Sequence, residues 1–386
     1  MIEENNIGIV AQQSFTFGIE GEEPLVLDCG KELKPVTVAY ETYGELNAKK
    51  DNAILIIHAL TGNAHAAGFH SEEETKPGWW NEMVGPGKAF DTNKYFVVCS
   101  NSLGGCSGTT GPRSINSVTG KPYNLTFPSI TIGDMVRVQH RLMQYLKVDK
   151  WLSIAGGSMG GMQVLQWATD YPDSSESIIA IATTTSLSPQ AIAFDWVGRE
   201  AIMSDPNWNN GNYEDCIPEK GLATARMLAH ITYLSDKSMN MKFGRKLEDI
   251  NNANDNFSKN FEVESYLEHQ GQRFVERFDA NCYLYITRAM DYFDLASIDN
   301  GKLESTFAAV KASFLVVSFS SDWLFSSEES KKIVNGLRQN NVDVAYCDIK
   351  SSYGHDAFLL EVDTLTSLIR DFLYCCYKEY NNAKIS

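Results

Sequence analysis

The chain has 386 residues, 43% hydrophobic and 21% charged, with a formal net charge of −16, a composition that suits a globular protein with a large buried core. Phosphate backbones and anionic lipid both require clustered Lys and Arg, so neither a nucleic-acid nor a membrane partner is expected. The N-terminal MIEENNIGIV lacks a basic segment followed by an apolar run, no stretch reaches the ~18 consecutive apolar residues of a membrane span, and the eight cysteines show no CxxC spacing. Free thiols in a reducing cytoplasm are expected, with no metal site and no resident cofactor.

In chain order, FTFGIEGEEPLVLDCG (15–30) and VTVAYETYG (36–44) read as antiparallel strands added at one edge of a sheet. AILIIHAL (53–60), YFVVCSN (95–101), WLSIAGG (151–157), SIIAIATTT (177–185), FLVVSFSSD (314–322) and VAYCDIK (344–350) follow. Short, nearly continuous apolar runs of this kind suit strands covered on both faces. Between them lie helix-like segments: IGDMVRVQHRLMQYLKV after Thr131, the stretch after Ser158, and SSEESKKIVNGLRQN after Phe325, with Ser326 or Ser327 as N-cap. Alternating strands and helices predict an α/β fold with a mostly parallel sheet.

The alternation stops between about 186 and 305. LSPQAIAFDWVGREAIMSD, KGLATARMLAHITYLS, ESYLEHQGQRFVERF and ANCYLYITRAMDYFDL all carry helical spacing, and the polar tract KLEDINNANDNFSKN divides them as a mobile loop. This predicts an α/β core in two parts, 1–185 and 306–386, interrupted by a helical insertion over 186–305.

Gly156-Gly157-Ser158-Met159-Gly160 matches G-x-S-x-G between a strand and a helix-like run, the setting in which a sharp turn exposes a serine nucleophile. The alternative is a glycine-rich turn carrying a bystander serine. A serine hydroxyl is inert at neutral pH without a base and an orienting acid, which follow in the order acid, then His, in this kind of sheet. Of the seven histidines only His355, in SSYGHDAFL, lies after the last strands; His230 and His269 fall in the helical insertion and read as core or surface residues. Asp322, closing FLVVSFSSD, is a better acid than Asp348, which lies within a strand. Ser158, Asp322 and His355 are therefore the expected triad. The oxyanion donors are expected to be the Met159 amide and the Leu60 amide in the loop HALTGNAH. Cys106, in a Gly-rich loop, is a candidate reactive thiol, although no base lies beside it in sequence.

Taken together, HALTGNAH (58–65), NSLGGCSGTTGP (101–112), AGGSMGGMQVLQW (155–167), LSPQAIAFDWVGREAIMSDP (187–206), GLATARMLAHITYLS (221–235), RFDANCYLYITRAMDYFDL (277–295), SDWLF (321–325) and GHDAFL (354–359) closely resemble the homoserine O-acetyltransferase family. The resemblance covers most of the chain, the insertion included. It implies the α/β-hydrolase fold, with the insertion as a helical lid, and a ping-pong transfer of an acetyl group from the co-substrate acetyl-CoA to L-homoserine in methionine biosynthesis. Ser158, Asp322 and His355 fall on the family's catalytic positions, and Leu60 and Met159 on its oxyanion amides. Arg226 matches the arginine that holds the homoserine carboxylate, with an interhelical salt bridge as the alternative. Tyr233 and Asp356 fall on apparent homoserine contacts, with core packing and a brace for the catalytic histidine as alternatives. A cytoplasmic homodimer is also implied. The chain departs from the family at Asn63, where an acidic residue is frequent; Thr185 and Cys282 occupy variable positions. Succinyl-CoA as donor, serine as acceptor, or plain ester hydrolysis are the competing activities.

Overall fold

The computed structural model describes residues 6–214, 216–248, 259–297 and 301–383. Eight strands form one sheet: β1 (Gln13–Phe17), β2 (Val36–Tyr43), β3 (Ala53–Ile57), β4 (Phe96–Ser100), β5 (Trp151–Gly157), β6 (Ser175–Ile181), β7 (Ser313–Phe319) and β8 (Val344–Ile349). Their spatial order is β1-β2-β4-β3-β5-β6-β7-β8. β1 pairs antiparallel with β2, and β2 antiparallel with β4, which puts the opening segment at one edge, as its sequence predicts. From β4 to β8 every pairing is parallel.

Both faces of this sheet are covered, so its central strands need apolar residues at every position. β3 is buried at all five positions and β5 at all seven. Leu55 and Ile57 face one half of the core, with α1 (Ile132–Tyr145) and α2 (Met159–Asp170). Ile54 and Ile56 face the other half. α1 starts where Thr131 accepts from the Asp134 amide and Asp134 returns the bond to the Thr131 amide, a reciprocal cap.

After β6 the chain leaves the sheet for a run of helices, the longer ones among the described residues being α3 (Pro189–Met203), α4 (Glu219–Tyr233), α5 (Asp236–Lys242), α6 (Glu262–Val275) and α7 (Ala280–Asp291). Ser188, Ser235 and Asp279 cap three of them through their side chains. α4 packs between α3 and α6. The polar tract 246–260 lies mostly outside the described residues. The sheet resumes with β7, then α8 (Ser327–Gln339), which starts after Ser326, then β8 and the closing α9 (Val362–Ala383). Buried Leu365, Ile369 and Leu373 seat α9 on the second face. No helix of the described residues is long and apolar enough to cross a membrane.

The apolar runs overshoot the strands in two places that matter. β3 stops at Ile57, freeing His58–Leu60 to turn over the sheet edge, and β7 stops at Phe319, so Asp322 sits in the loop beyond it rather than at its end. In both cases the chain leaves the ladder where side chains and amides are needed above the sheet.

Candidate active site

Ser158 stands at the corner between β5 and α2 with φ 58° and ψ −124°, backbone angles that a side-chain-bearing residue adopts only under strain. Two contacts hold it there: its amide donates to Ile181 O at 3.0 Å, and Thr183 Oγ1 donates to its carbonyl at 2.9 Å. The corner closes only because its neighbours lack side chains. A Cβ on Gly160 would lie 2.2 Å from Ile57 O, and one on Gly156 2.5 Å from the Gly160 backbone.

His355 lies in a single turn, Gly354–Asp356, beyond β8. Its Nε2 is 2.8 Å from Ser158 Oγ and its Nδ1 2.7 Å from Asp322 Oδ2. The other Asp322 oxygen accepts the amides of Leu324 and Phe325 at 3.0 and 2.9 Å. All three side chains are at least nine-tenths buried. Burial works against a charged His355, but the Asp322 charge and hydrogen bond outweigh it, helped by Asp356, and its pKa rises above 6.5. Asp348 is occupied elsewhere, accepting from Ser318 Oγ and Ser327 Oγ. His230 is buried between α4 and α6 beside Tyr266, and His269 is exposed. Cys106 is partly buried and lies against the 277–282 turn, not against the triad.

Leu60 and Ser158 line the same small cavity, of about 40 Å³, with Phe194, Tyr233 and Phe325 among its walls. Met159 opens α2, so its N–H is among the first-turn donors that a helix cannot satisfy itself, at the positive end of the helix dipole. The Leu60 loop is fixed from behind by His58. Ser102 N donates to His58 Nε2 at 3.0 Å, and His58 Nδ1 reaches Ala59 O at 2.7 Å. Burial pushes the His58 pKa down to about 4, so this brace stays neutral.

Arg226, on α4, is buried, and no carboxylate lies within ion-pair distance of it among the described residues, so the expected alternative of an interhelical salt bridge is not formed there. Its guanidinium lies over Phe274 and Tyr233, at 4.9 and 5.6 Å from the ring centroids, and Nη1 donates to Thr61 Oγ1 at 3.4 Å. The Tyr233 ring lies 5.9 Å from the His355 ring; burial pushes its hydroxyl up to about 12. Asp356 follows His355 directly. Burial raises its pKa, against the pull of His355 and Arg226. Arg226, Tyr233 and Asp356 thus surround one side of the triad.

Two residues of this region escape a reading of the sequence. Arg277, in the turn between α6 and α7, donates from Nη1 to Thr61 O at 2.9 Å, so two guanidiniums grip the residue after Leu60. Asp195 lines the cavity from α3, and burial beside Asp291 pushes its pKa up to about 8. Both lie in segments that carry the family resemblance, 187–206 and 277–295, but neither has a role legible from spacing; each depends on how the helices pack over the sheet.

The α/β-hydrolase fold family matches residues 52–362. A homoserine O-acetyltransferase of Deferribacter desulfuricans is 53% identical over 382 residues, covering 99% of this chain and all of that protein. One of Methanohalobium evestigatum is 56% identical over 92% of this chain and 72% of its own length. Among solved structures, the homoserine O-acetyltransferase of Bacillus anthracis superposes with a TM-score of 0.88 at 30% identity, over 95% of this chain and 98% of that one. Esterase E22 superposes at 0.86 with 32% identity, over 95% of this chain and all of that one. The fold, the eight-strand order and near full-length identity above one half lead to one assignment: the chain belongs to the homoserine O-acetyltransferase family of α/β-hydrolase-fold acyltransferases.

Proposed function

We propose that the chain transfers an acetyl group from acetyl-CoA to the hydroxyl of L-homoserine through an acyl-enzyme on Ser158. The observation that carries this reading is the pairing of a continuous Ser158–His355–Asp322 relay with a buried Arg226 that has no carboxylate partner among the described residues. The relay is a general acyl-transfer device; the waiting guanidinium selects an acceptor with a carboxylate of its own.

In the first half-reaction His355 Nε2 takes the Ser158 proton while Oγ attacks the thioester carbonyl. The amides of Leu60 and Met159 hold the oxyanion, and coenzyme A leaves as the thiol, protonated from His355. In the second, Arg226 holds the homoserine carboxylate, with Tyr233 and Asp356 at its side and Asp356 suited to the α-ammonium. His355 then deprotonates the homoserine hydroxyl, which attacks the acyl-serine; the adduct collapses by breaking the bond to Ser158 Oγ, which takes the proton back from His355 as the O-acetyl ester leaves. The helical insertion 186–305 acts as a lid over this centre, keeping water from competing with the alcohol. The same reading places the protein in the cytoplasm, as a homodimer supplying methionine biosynthesis.

Ester hydrolysis is the second reading, favoured by the likeness to esterase E22. Mixing the protein with acetyl-CoA and following thiol release separates them: homoserine must accelerate release and appear as its O-acetyl ester. Release indifferent to homoserine would revert the assignment to a hydrolase. Succinyl-CoA and serine, run alongside, fix the donor and the acceptor. Ser158→Ala must abolish both transfer and acetylation of the protein.

A further inference from the structure

We propose that Glu41, His65 and His70 form a binding site for a divalent transition-metal ion of the zinc class, apart from the triad. Glu41 lies on β2, and its side chain has no exposed surface. Its Oε2 is 2.9 Å from His65 Nδ1 and accepts the Tyr43 hydroxyl at 2.8 Å; its Oε1 is 2.7 Å from His70 Nε2. The three donor atoms lie within 4.8 Å of one another. Two imidazole nitrogens and a carboxylate oxygen, with one position left to water, make the donor set of an open zinc site. The His70 side chain is 37% exposed, which leaves that fourth position reachable from solvent.

Two further observations point to a cation. No Lys or Arg reaches Glu41 among the described residues. A fully buried carboxylate without a cationic partner is costly. A single ion between the three donors, which lie within 4.8 Å of one another, neutralises the carboxylate. The second observation lies behind His70. Its Nδ1 faces Glu74 Oε1 at 3.6 Å, and Glu74 Oε2 accepts the His70 amide at 2.6 Å. A carboxylate behind the far nitrogen of a ligating histidine orients the ring and fixes which nitrogen binds the metal. Bound there, the ion would tie the loop after Asn63 to β2.

The test uses the full-length chain, stripped with a chelator and titrated with Zn²⁺, or with Co²⁺ for its visible absorption. One equivalent per chain, a rise in Tm with Zn²⁺ and a tetrahedral Co²⁺ spectrum are expected. With seven histidines and eight cysteines in the chain, the variants decide. Glu74→Gln should weaken binding by about 10-fold or more, and His70→Ala should abolish the Co²⁺ spectrum, while His269→Ala, on the exposed face of α6, should change neither. Secondary structure and acyl transfer of each variant check that it folds. No stoichiometric binding, or equal binding by wild type and His70→Ala, overturns the proposal and leaves the cluster as a hydrogen-bonded clamp.

Discussion

One oxygen of Asp322 lies 2.7 Å from His355 Nδ1, while its other oxygen holds the amides of Leu324 and Phe325. The same carboxylate therefore shapes its own loop and orients the imidazole. Asp322→Asn keeps an acceptor for the amides but presents the wrong partner to Nδ1–H. We expect a native melting profile and a loss of kcat on the order of 10⁴-fold, read by thermal denaturation and steady-state transfer. A wild-type rate in this variant would remove Asp322 from the relay.

The raised pKa of His355 sets the pH response. The base works only when neutral, so kcat/KM for acetyl-CoA should fall as pH drops, with an apparent pKa above 6.5 in the free enzyme. Asp322→Asn should move that limb to lower pH, because the main interaction raising it is gone. The effect on stability has the opposite direction. A histidine pKa raised by folding contributes stability that is fully present below the unfolded value and lost as pH rises through the folded one.

Arg226→Gln separates acceptor from donor. If the guanidinium waits for the homoserine carboxylate, KM for homoserine should rise by about 10- to 100-fold, the size of a lost charge-assisted hydrogen bond. The burst of thiol released from acetyl-CoA before acceptor is added should stay unchanged. A variant that loses the burst as well would mean that Arg226 acts through Thr61 and the oxyanion loop instead.

Arg277 gives the complementary outcome. Its bond to Thr61 O steadies the backbone next to Leu60. Arg277→Gln is therefore expected to slow the burst itself by roughly 10-fold, for about 1.5 kcal/mol of lost hydrogen bonding to a charged group, with little change in KM for homoserine. Rapid-mixing measurement of thiol release distinguishes the two arginines.

Gly160 tests the corner. A methyl group there would meet Ile57 O at 2.2 Å, a backbone atom at the end of a central strand that cannot rotate away. Gly160→Ala should cost on the order of 3 kcal/mol or more, seen as a depressed melting temperature together with lost activity.

How much of this could be read from the chain follows from where each residue sits. Ser158, Asp322 and His355 each come just after a strand, and strands announce themselves as short apolar runs, so the edge of the sheet they share could be inferred without coordinates. Leu60 follows for the same reason. Arg226, Tyr233 and Asp356 carry no periodic signal of function and were legible only through likeness to a family. Arg277 and Asp195 reach the site through the packing of α3, α6 and α7, which apolar spacing places on helices but does not orient. Glu41 is separated by 24 residues from His65, with a turn and a strand between, and no spacing rule joins a buried strand carboxylate to a loop histidine.

The positive φ at Ser158 carries a consequence for how this protein can change. Backbone angles this sparsely populated cost a residue with a Cβ on the order of 1–3 kcal/mol, and glycine is free of most of that cost. Ser158→Gly should therefore be more stable than Ser158→Ala although both are dead, and it could be more stable than the active protein itself. Selection for folding alone would erode the nucleophile; only selection for the reaction keeps a side chain at that corner.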